Sequence, residues 1–418
     1  MRHRDKPIIQ SLLDMDFYKF TMGQFIFRYY PDLQVRFALT NRTKSVRLAD
    51  MIDLGQLREE LEHLRSLRFT KSELHYLRGT NEYGDRMFGE DYLTFLSELR
   101  MPEFHLEKRS DGQINLWSEG DWPSVSPGET PGLAILAELY CRHLTKDMTR
   151  FELEAVRANG IMRLQEKHRK LRQYPFIKYS DFGHRRRAYR DWHDFVVSVE
   201  AEEMAGQFLG TSDAWLAMKY GLLPMGTNAH ELGMVIAAFL AITEGDAGIL
   251  RANREIVDKW WQMYGQGLSI ALPDTFGSDT FLQTMNGLDA VKWKGFRHDS
   301  GDPIEFGEKI INFYEGFGVD PREHIIVFSD GLNVDEIIRL ALHFKDRIKV
   351  SFGWGTTLTN DLGFKNLSIV IKVASANGQP AVKLSDNIAK AVSPSPEEIE
   401  RYKRLFGYHA QFEVVPTV

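Results

Sequence analysis

The sequence predicts an α/β barrel beside an α+β domain drawn from both chain ends, and three observations carry this. From about residue 175 short apolar runs end in small polar clusters and lead into helical patterns: "FIKYSDFGHRRR", "GQFLGTSDAW", "GLLPMGTNAHE", "GLSIALPDTFGSD", "KGFRHDSGDP", "IIVFSDGLN" and "VSFGWGTTLTND". Seven such units argue for successive βα units, hence a mainly parallel sheet, and their number argues for closure. Helix-start chemistry marks where two strands stop. Asp302 and Asn333 can cap, Pro303 suits a first helical position, and Glu305 and Glu336 stand three residues after the caps. Finally, 418 residues exceed the ~250–300 at which a single core stops growing, so the chain divides in two.

In chain order, residues 1–130 give a helix after Asp14 in "LLDMDFYKFTMGQFIFRYYP", an alternating strand in "QVRFALTN", helices around 55–100 and a strand in "INLWSEG", the makings of an α+β domain. The stretch "DWPSVSPGETPG", with three Pro and two Gly, reads as a turn-rich crossing into an apolar helix from Leu133, and the barrel domain is placed at 131–366. A long charged helix follows in "RFELEAVRANGIMRLQEKHRKLRQYP", its basic face expected to be solvated. The tail, 367–418, holds "SIVIKVASANGQPAVKLSD", two strand-like runs around an Asn377-Gly378 turn, and the charged helix "SPSPEEIERYKRLFG". It is expected to return to the first domain.

With 52 basic and 58 acidic residues, the net charge of -6 gives no global pull toward nucleic acid or an anionic membrane. The one cysteine, Cys141, lies in an apolar helical run, which excludes disulfides and Cys-based metal sites and fits a reducing cytoplasm. "MRHRDKPIIQSLLD" lacks an apolar signal core, and the longest apolar run, Met234 to Ile242, is far short of a membrane span. The reading is a soluble, cytoplasmic protein.

Strand C-terminal ends form one rim of such a barrel, so the polar clusters converge. The rim would carry His184 and Arg185, Arg186 and Arg187 in one loop, Arg297, Asp299 and Asp302 in another, and glycine turns at Ser329–Gly331 and Gly353–Thr357. Glycine turns that open helices point N–H groups outward and suit phosphate. Taken singly these pieces are ordinary: an arginine run is more often a solvated face, and His230 in "PMGTNAHELG" is more often a plain helix start. Their shared rim is what points to a site for polyanions. The P-loop, dinucleotide, H-E-x-x-H and G-x-S-x-G motifs are all missing from the sequence.

In order, "DFYKFTMGQ", "DFGHRRR", "GTSDAW", "MGTNAHE", "RHDSGDP", "FSDGLN" and "FGWGTTLTND" closely resemble the motifs of nicotinate phosphoribosyltransferases, which join nicotinate to phosphoribosyl pyrophosphate (PRPP) in NAD salvage. The match runs from about residue 10 to about 390. The resemblance implies a type II phosphoribosyltransferase: an irregular α/β barrel, an α+β domain built from both chain ends, and a homodimer with shared active sites. It implies that His230 is phosphorylated by the co-substrate ATP during the cycle, a covalent intermediate whose added charge can reorganise neighbouring arginines. Gly353, Gly355 and Thr356, with Asp330 and Gly331, match its 5-phosphate and ribose loops. Phe182 and Tyr18 match the aromatic pair that stacks on the pyridine ring, Tyr18 coming from the partner subunit. Thr227 and one arginine of 185–187, Arg185 or Arg186 among them, are candidates near the nicotinate carboxylate.

The chemistry of that reaction agrees with the residues. Displacing pyrophosphate from the ribose builds positive charge on the sugar and negative charge on the leaving group. Arg297 is the candidate for phosphates and substrate orientation, and Asp299 for the ribose, its developing cation or a magnesium-bound water. Mg²⁺ is expected on the pyrophosphate, with its protein ligands unassigned. A site offering only donors favours nicotinate, whereas an acidic side chain favours nicotinamide. Ser212 stands where nicotinamide-specific relatives place an aspartate, and Asp213 is expected to cap the next helix instead of facing the ring. Nicotinamide as the base, or an inactive PRPP-sensing module, are the competing readings; quinolinate transfer has no use for His230.

Overall fold

The computed structural model describes residues 6–82, 84–409 and 412–413. The Gln34–Asn41 strand keeps the alternation read from the sequence, burying Val35 and Phe37 and exposing Gln34 and Arg36. It is the centre of a five-stranded antiparallel sheet ordered Gln379–Pro380, Ile369–Ala376, Gln34–Asn41, Ile114–Asp121, His105–Lys108. The tail therefore does return: Phe37 pairs with Val373 on one side and with Ser118 on the other. Asn377 and Gly378, at φ 46° and 81°, form the left-handed pair that a tight hairpin turn needs.

All seven expected strands lie in a second, parallel sheet ordered Leu223–Pro224, Phe208–Thr211, Tyr179–Asp181, Lys349–Trp354, Ile325–Phe328, Gly295–His298, Ile270–Ala271. The sheet curls but its ladder does not close. Its edges are the two-residue strands Leu223–Pro224 and Ile270–Ala271, and the chain between them runs as two helices, Glu231–Glu244 and Asp246–Tyr264, with no further described strand. Asp302 and Asn333 cap as read, each accepting two backbone N–H groups of the following turn.

The proline-rich stretch 121–132 is helical, not a turn-rich crossing. Trp122–Val125, Ser126–Gly128 and the helix Glu129–Leu144 follow one another directly. Pro123, Pro127 and Pro131 fall in first turns, where the missing N–H removes no helical bond. Helix Glu129–Leu144 is buried from Thr130 to Cys141 and packs on both the Ile369–Ala376 strand and the His184–Arg186 turn, so the two sheets share it. No described helix is long and apolar enough to cross a membrane.

Candidate functional site

The C-terminal rim of the parallel sheet faces the antiparallel sheet across a cavity of about 360 Å³. Of the site residues read from the sequence, Tyr18, Phe182, Arg185, Arg186, Ser212, His230, Arg297, Asp299, Asp330, Gly331, Gly353, Gly355 and Thr356 line it; Thr227 does not. Seven cations meet five carboxylates on its wall, so a chain that is acidic overall has a locally basic cavity.

Asp181 ends its strand and accepts three hydrogen bonds, from Gly183 N–H at 2.7 Å, His193 Nε2 at 2.7 Å and Thr211 Oγ1 at 2.6 Å. The turn it fixes delivers Phe182 to the cavity. A Cβ on Gly353 would stand 2.3 Å from the Phe182 ring, so only glycine lets the aromatic lie across that strand end. Tyr18 opens the helix Tyr18–Tyr29, and Arg185 Nη1 donates to its hydroxyl at 3.3 Å. It lines the cavity of its own chain. The cause is local: Phe17 N–H donates to Ser212 O at 2.6 Å and Asp16 bridges to Asp213, pinning the first helix to its own barrel rim.

The three arginines separate. Arg187 is buried and turned to Asp14, Nη1 to Oδ1 at 2.6 Å and Nη2 to Oδ2 at 3.1 Å, away from the cavity. Arg185 lies by Tyr18, and Arg186 Nη1 reaches Thr356 Oγ1 at 3.4 Å. Burial and the neighbouring Arg185 push the Arg186 guanidinium down to about 10. Ser212 lines the cavity but donates its one proton to Asp16 Oδ1 at 2.6 Å. Asp213 caps the helix Ala214–Tyr220, accepting Leu216 N–H at 3.0 Å, and lies outside the cavity. Thr227 is displaced because the chain is drawn against the first helix: its carbonyl accepts the Thr21 hydroxyl, and a Cβ on Gly226 would stand 2.7 Å from Tyr18 N.

His230 immediately precedes the helix Glu231–Glu244 and is buried. Its Nδ1 lies 3.0 Å from Thr275 Oγ1; its Nε2 lies 2.8 Å from Asp299 Oδ2 and 2.9 Å from Lys383 Nζ. Burial, aided by Lys383 and opposed by Asp274 and Asp299, pushes the imidazole down to about 4, so the ring is neutral at pH 7. Burial also works against ionising Asp299, but its bond to His230 and the Arg297 and Lys383 cations hold the carboxyl well below the usual range. Arg297 Nη1 donates to Asn228 O at 3.0 Å, and its Nε is buried with no protein partner among the described residues. Glu231, the next residue, accepts from Lys19 Nζ at 2.6 Å and Trp122 Nε1 at 2.6 Å, anchoring the helix that carries His230.

Sequence reasoning missed the far wall. Arg42, Lys372, Lys383 and Lys390 enter from the antiparallel sheet and the segment after it. Lys390 Nζ bonds Asp330 Oδ1 at 2.5 Å and Asp299 O at 3.0 Å, while burial and the Lys383 and Arg42 charges push Lys372 well down. The alternation of "SIVIKVASA" puts Lys372 opposite Ile371 and Val373, a signal that was there to read. The long helix is not simply solvated on its basic side either: buried Lys167 donates to Thr357 O and pairs with Asp361 Oδ2 at 2.8 Å, bracing the turn after Gly355.

A curled parallel sheet whose C-terminal rim gathers aromatic, arginine and glycine-turn groups against a second, cationic sheet defines an α/β half-barrel protein with a basic cavity between its two sheets. The chain belongs to the nicotinate phosphoribosyltransferase family: the model of that family matches residues 177–410 and the model of its N-terminal domain matches residues 13–137. Three solved structures carrying that family's name are similar over nearly the whole length. The one from Vibrio cholerae has 30% identity and a TM-score of 0.85, covering 98% of this chain and 96% of its own. That from Saccharomyces cerevisiae has 29% identity and a TM-score of 0.84, covering 97% and 100%. That from Porphyromonas gingivalis has 30% identity and a TM-score of 0.82, covering 96% and 100%.

Proposed function

We propose that this chain transfers the phosphoribosyl group of PRPP to nicotinate, releasing nicotinate mononucleotide and pyrophosphate for NAD salvage, with ATP hydrolysis coupled through a phosphorylated His230. The observation that carries the reading is a single cavity that holds both a stacking pair with Arg185 and a neutral histidine beside Lys383. The pyridine nitrogen attacks C1 of the ribose and the bond to pyrophosphate breaks. Ionised Asp299 meets the positive charge developing on the sugar, and Arg297 with the lysine wall meets the departing anion. Arg185 takes the nicotinate carboxylate beside Phe182 and Tyr18, and Arg186 with Gly355 and Thr356 takes the 5-phosphate. Asp299 and Asp330 offer hard oxygen ligands next to these cations and suit Mg²⁺ held largely through water, whose chemistry is to neutralise pyrophosphate as it leaves. The homodimer with shared active sites that the resemblance implies is part of this reading. A cytoplasmic setting accords with Cys141, whose thiol burial pushes up to about 12 and leaves unreactive.

The second reading, nicotinamide as the base, has one observation in its favour: Ser212, its proton given to Asp16, faces the cavity as an acceptor. Arg185 argues the other way. Purified protein with PRPP, Mg²⁺ and either base, with and without ATP, decides by product mass. Nicotinate mononucleotide, formed faster with ATP, is expected. Nicotinamide mononucleotide would overturn the choice of base, and PRPP binding without product from either base would make the chain a sensing module.

A further inference from the structure

Thr357 has no part in the reaction itself, yet it follows directly on Gly355 and Thr356 and lines the cavity beside them. Its Oγ1 accepts the Trp354 Nε1 hydrogen at 2.6 Å and donates to Leu332 O at 2.6 Å. An indole N–H can only donate and a carbonyl can only accept, so the partners fix the direction of both bonds. The single hydroxyl proton goes to Leu332.

The two bonds join two loops. Leu332 lies in the loop after the Ile325–Phe328 strand, between Gly331, left-handed at φ 63°, and Asn333, which caps the next helix. Trp354 ends the neighbouring parallel strand Lys349–Trp354. Among the described residues, the Thr357 hydroxyl makes the one hydrogen bond that links residues 329–333 to residues 355–359. Glycine leaves each turn free to open, and ordering an open turn around a ligand costs affinity. The cross-tie removes that freedom beforehand. It is braced from behind as well: the Thr357 carbonyl accepts buried Lys167 Nζ, which lies 5.7 Å from the centroid of the Trp354 ring. Trp354 O in turn accepts Phe182 N–H at 2.9 Å, so the same joint reaches the turn that carries the cavity aromatic.

We propose that Thr357 is a positioning residue that locks the 330–333 and 353–356 turns together, so that both turns and Arg186 receive the 5-phosphate of the sugar as one rigid seat. That the anion is a sugar phosphate rests on the phosphoribosyl-transfer reading; the joint between the turns does not.

Ribose 5-phosphate carries one end of PRPP and magnesium pyrophosphate the other, and each is titrated by calorimetry into the full chain. Thr357→Val keeps the shape but strands the indole N–H and the Leu332 carbonyl. It should weaken ribose 5-phosphate about 10-fold, the worth of one buried hydrogen bond, while magnesium pyrophosphate, which meets Arg297 and the lysines, stays within about twofold. Thr357→Ser keeps the hydroxyl and should bind both probes within about twofold of wild type. In turnover, Thr357→Val should raise KM for PRPP by more than it lowers kcat. If the valine variant does not fold, Trp354→Phe, which removes only the indole donor, carries the same test with an expected loss of about threefold. Unchanged ribose 5-phosphate affinity in Thr357→Val, equal losses of the two probes, an equal loss in Thr357→Ser, or a wild type that binds no ribose 5-phosphate overturns the proposal. The stated binding pattern in a protein that forms no mononucleotide supports the joint and overturns the transfer reading instead.

Discussion

Two clusters in this chain are made of the same residue types and have opposite electrostatics. Beneath the loop that carries Phe182 and Arg185, His184 and His193 meet Asp14, Asp181, Asp213 and Arg187, all buried and outside the cavity. At the rim, His230 meets Asp274, Asp299 and Lys383, and three of these four line the cavity. In the closed cluster burial opposes charge on His193, but the Asp181 carboxylate at 2.7 Å outweighs it and raises the imidazole. In the open one burial outweighs Asp274 and Asp299, with Lys383 adding to it, and His230 falls to about 4. A carboxylate next to a histidine therefore does not by itself decide the histidine's charge; its balance against burial and the other neighbouring charges does. The closed cluster is a clamp for a loop, and the open one keeps a buried imidazole at the cavity uncharged.

The sharpest way to break this contrast is Arg187→Ala. It strands the buried carboxylate of Asp14, which Arg187, Arg190 and His184 hold ionised against burial, and should cost about 3–5 kcal/mol, read as a lowered urea midpoint. Equal losses from Arg187→Ala and Arg186→Ala would mean that the two arginines are not differently employed. Next, Asp299→Asn should lower nicotinate mononucleotide formation about 10²–10³-fold, since it removes charge aimed at the reacting sugar. A loss under tenfold would take Asp299 out of the chemistry.

The pH dependence of stability follows with opposite signs. His230 has a folded value near 4 against an ordinary 6.5, so its contribution is full above about 6.5 and is lost as pH falls through that window. The span amounts to about 3 kcal/mol, and His230→Asn should flatten the acid limb of the urea-midpoint profile by that much. His193 is raised, so its contribution is full below about 6.5 and fades as pH rises through its folded value. Acid thus loosens the rim while alkali loosens the clamp. The smallest effect is expected from Arg186→Ala: about a 10-fold rise in KM for PRPP, with the urea midpoint moved by no more than about 0.5 kcal/mol.

The sequence made the parallel strands legible because each is a short apolar run stopped by residues that cap the next helix, as Asp213, Asp302 and Asn333 do. Asn377-Gly378 was legible for the same local reason. What local pattern could not carry was the use of those pieces across distance. Phe37 pairs with Val373 more than three hundred residues away, and alternation says which face Lys372 occupies without saying that a second sheet stands opposite. In 121–132 the prolines read as breakers, but each falls in a helix's first turn, where it is tolerated. Three consecutive arginines read as one basic run, yet the single 3₁₀ turn His184–Arg186 sends two toward the cavity and the third into the core.

Lys383 and Lys390 stand late in the chain, after every strand of the parallel sheet. Translation proceeds from the N-terminus, and folding begins on what has emerged. A ribosome still short of residue 383 carries His230 and Asp299 but no amine to hold Nε2. The order of synthesis therefore leaves the Lys383 contact at Nε2 to be made last, after every described strand of both sheets has been synthesised.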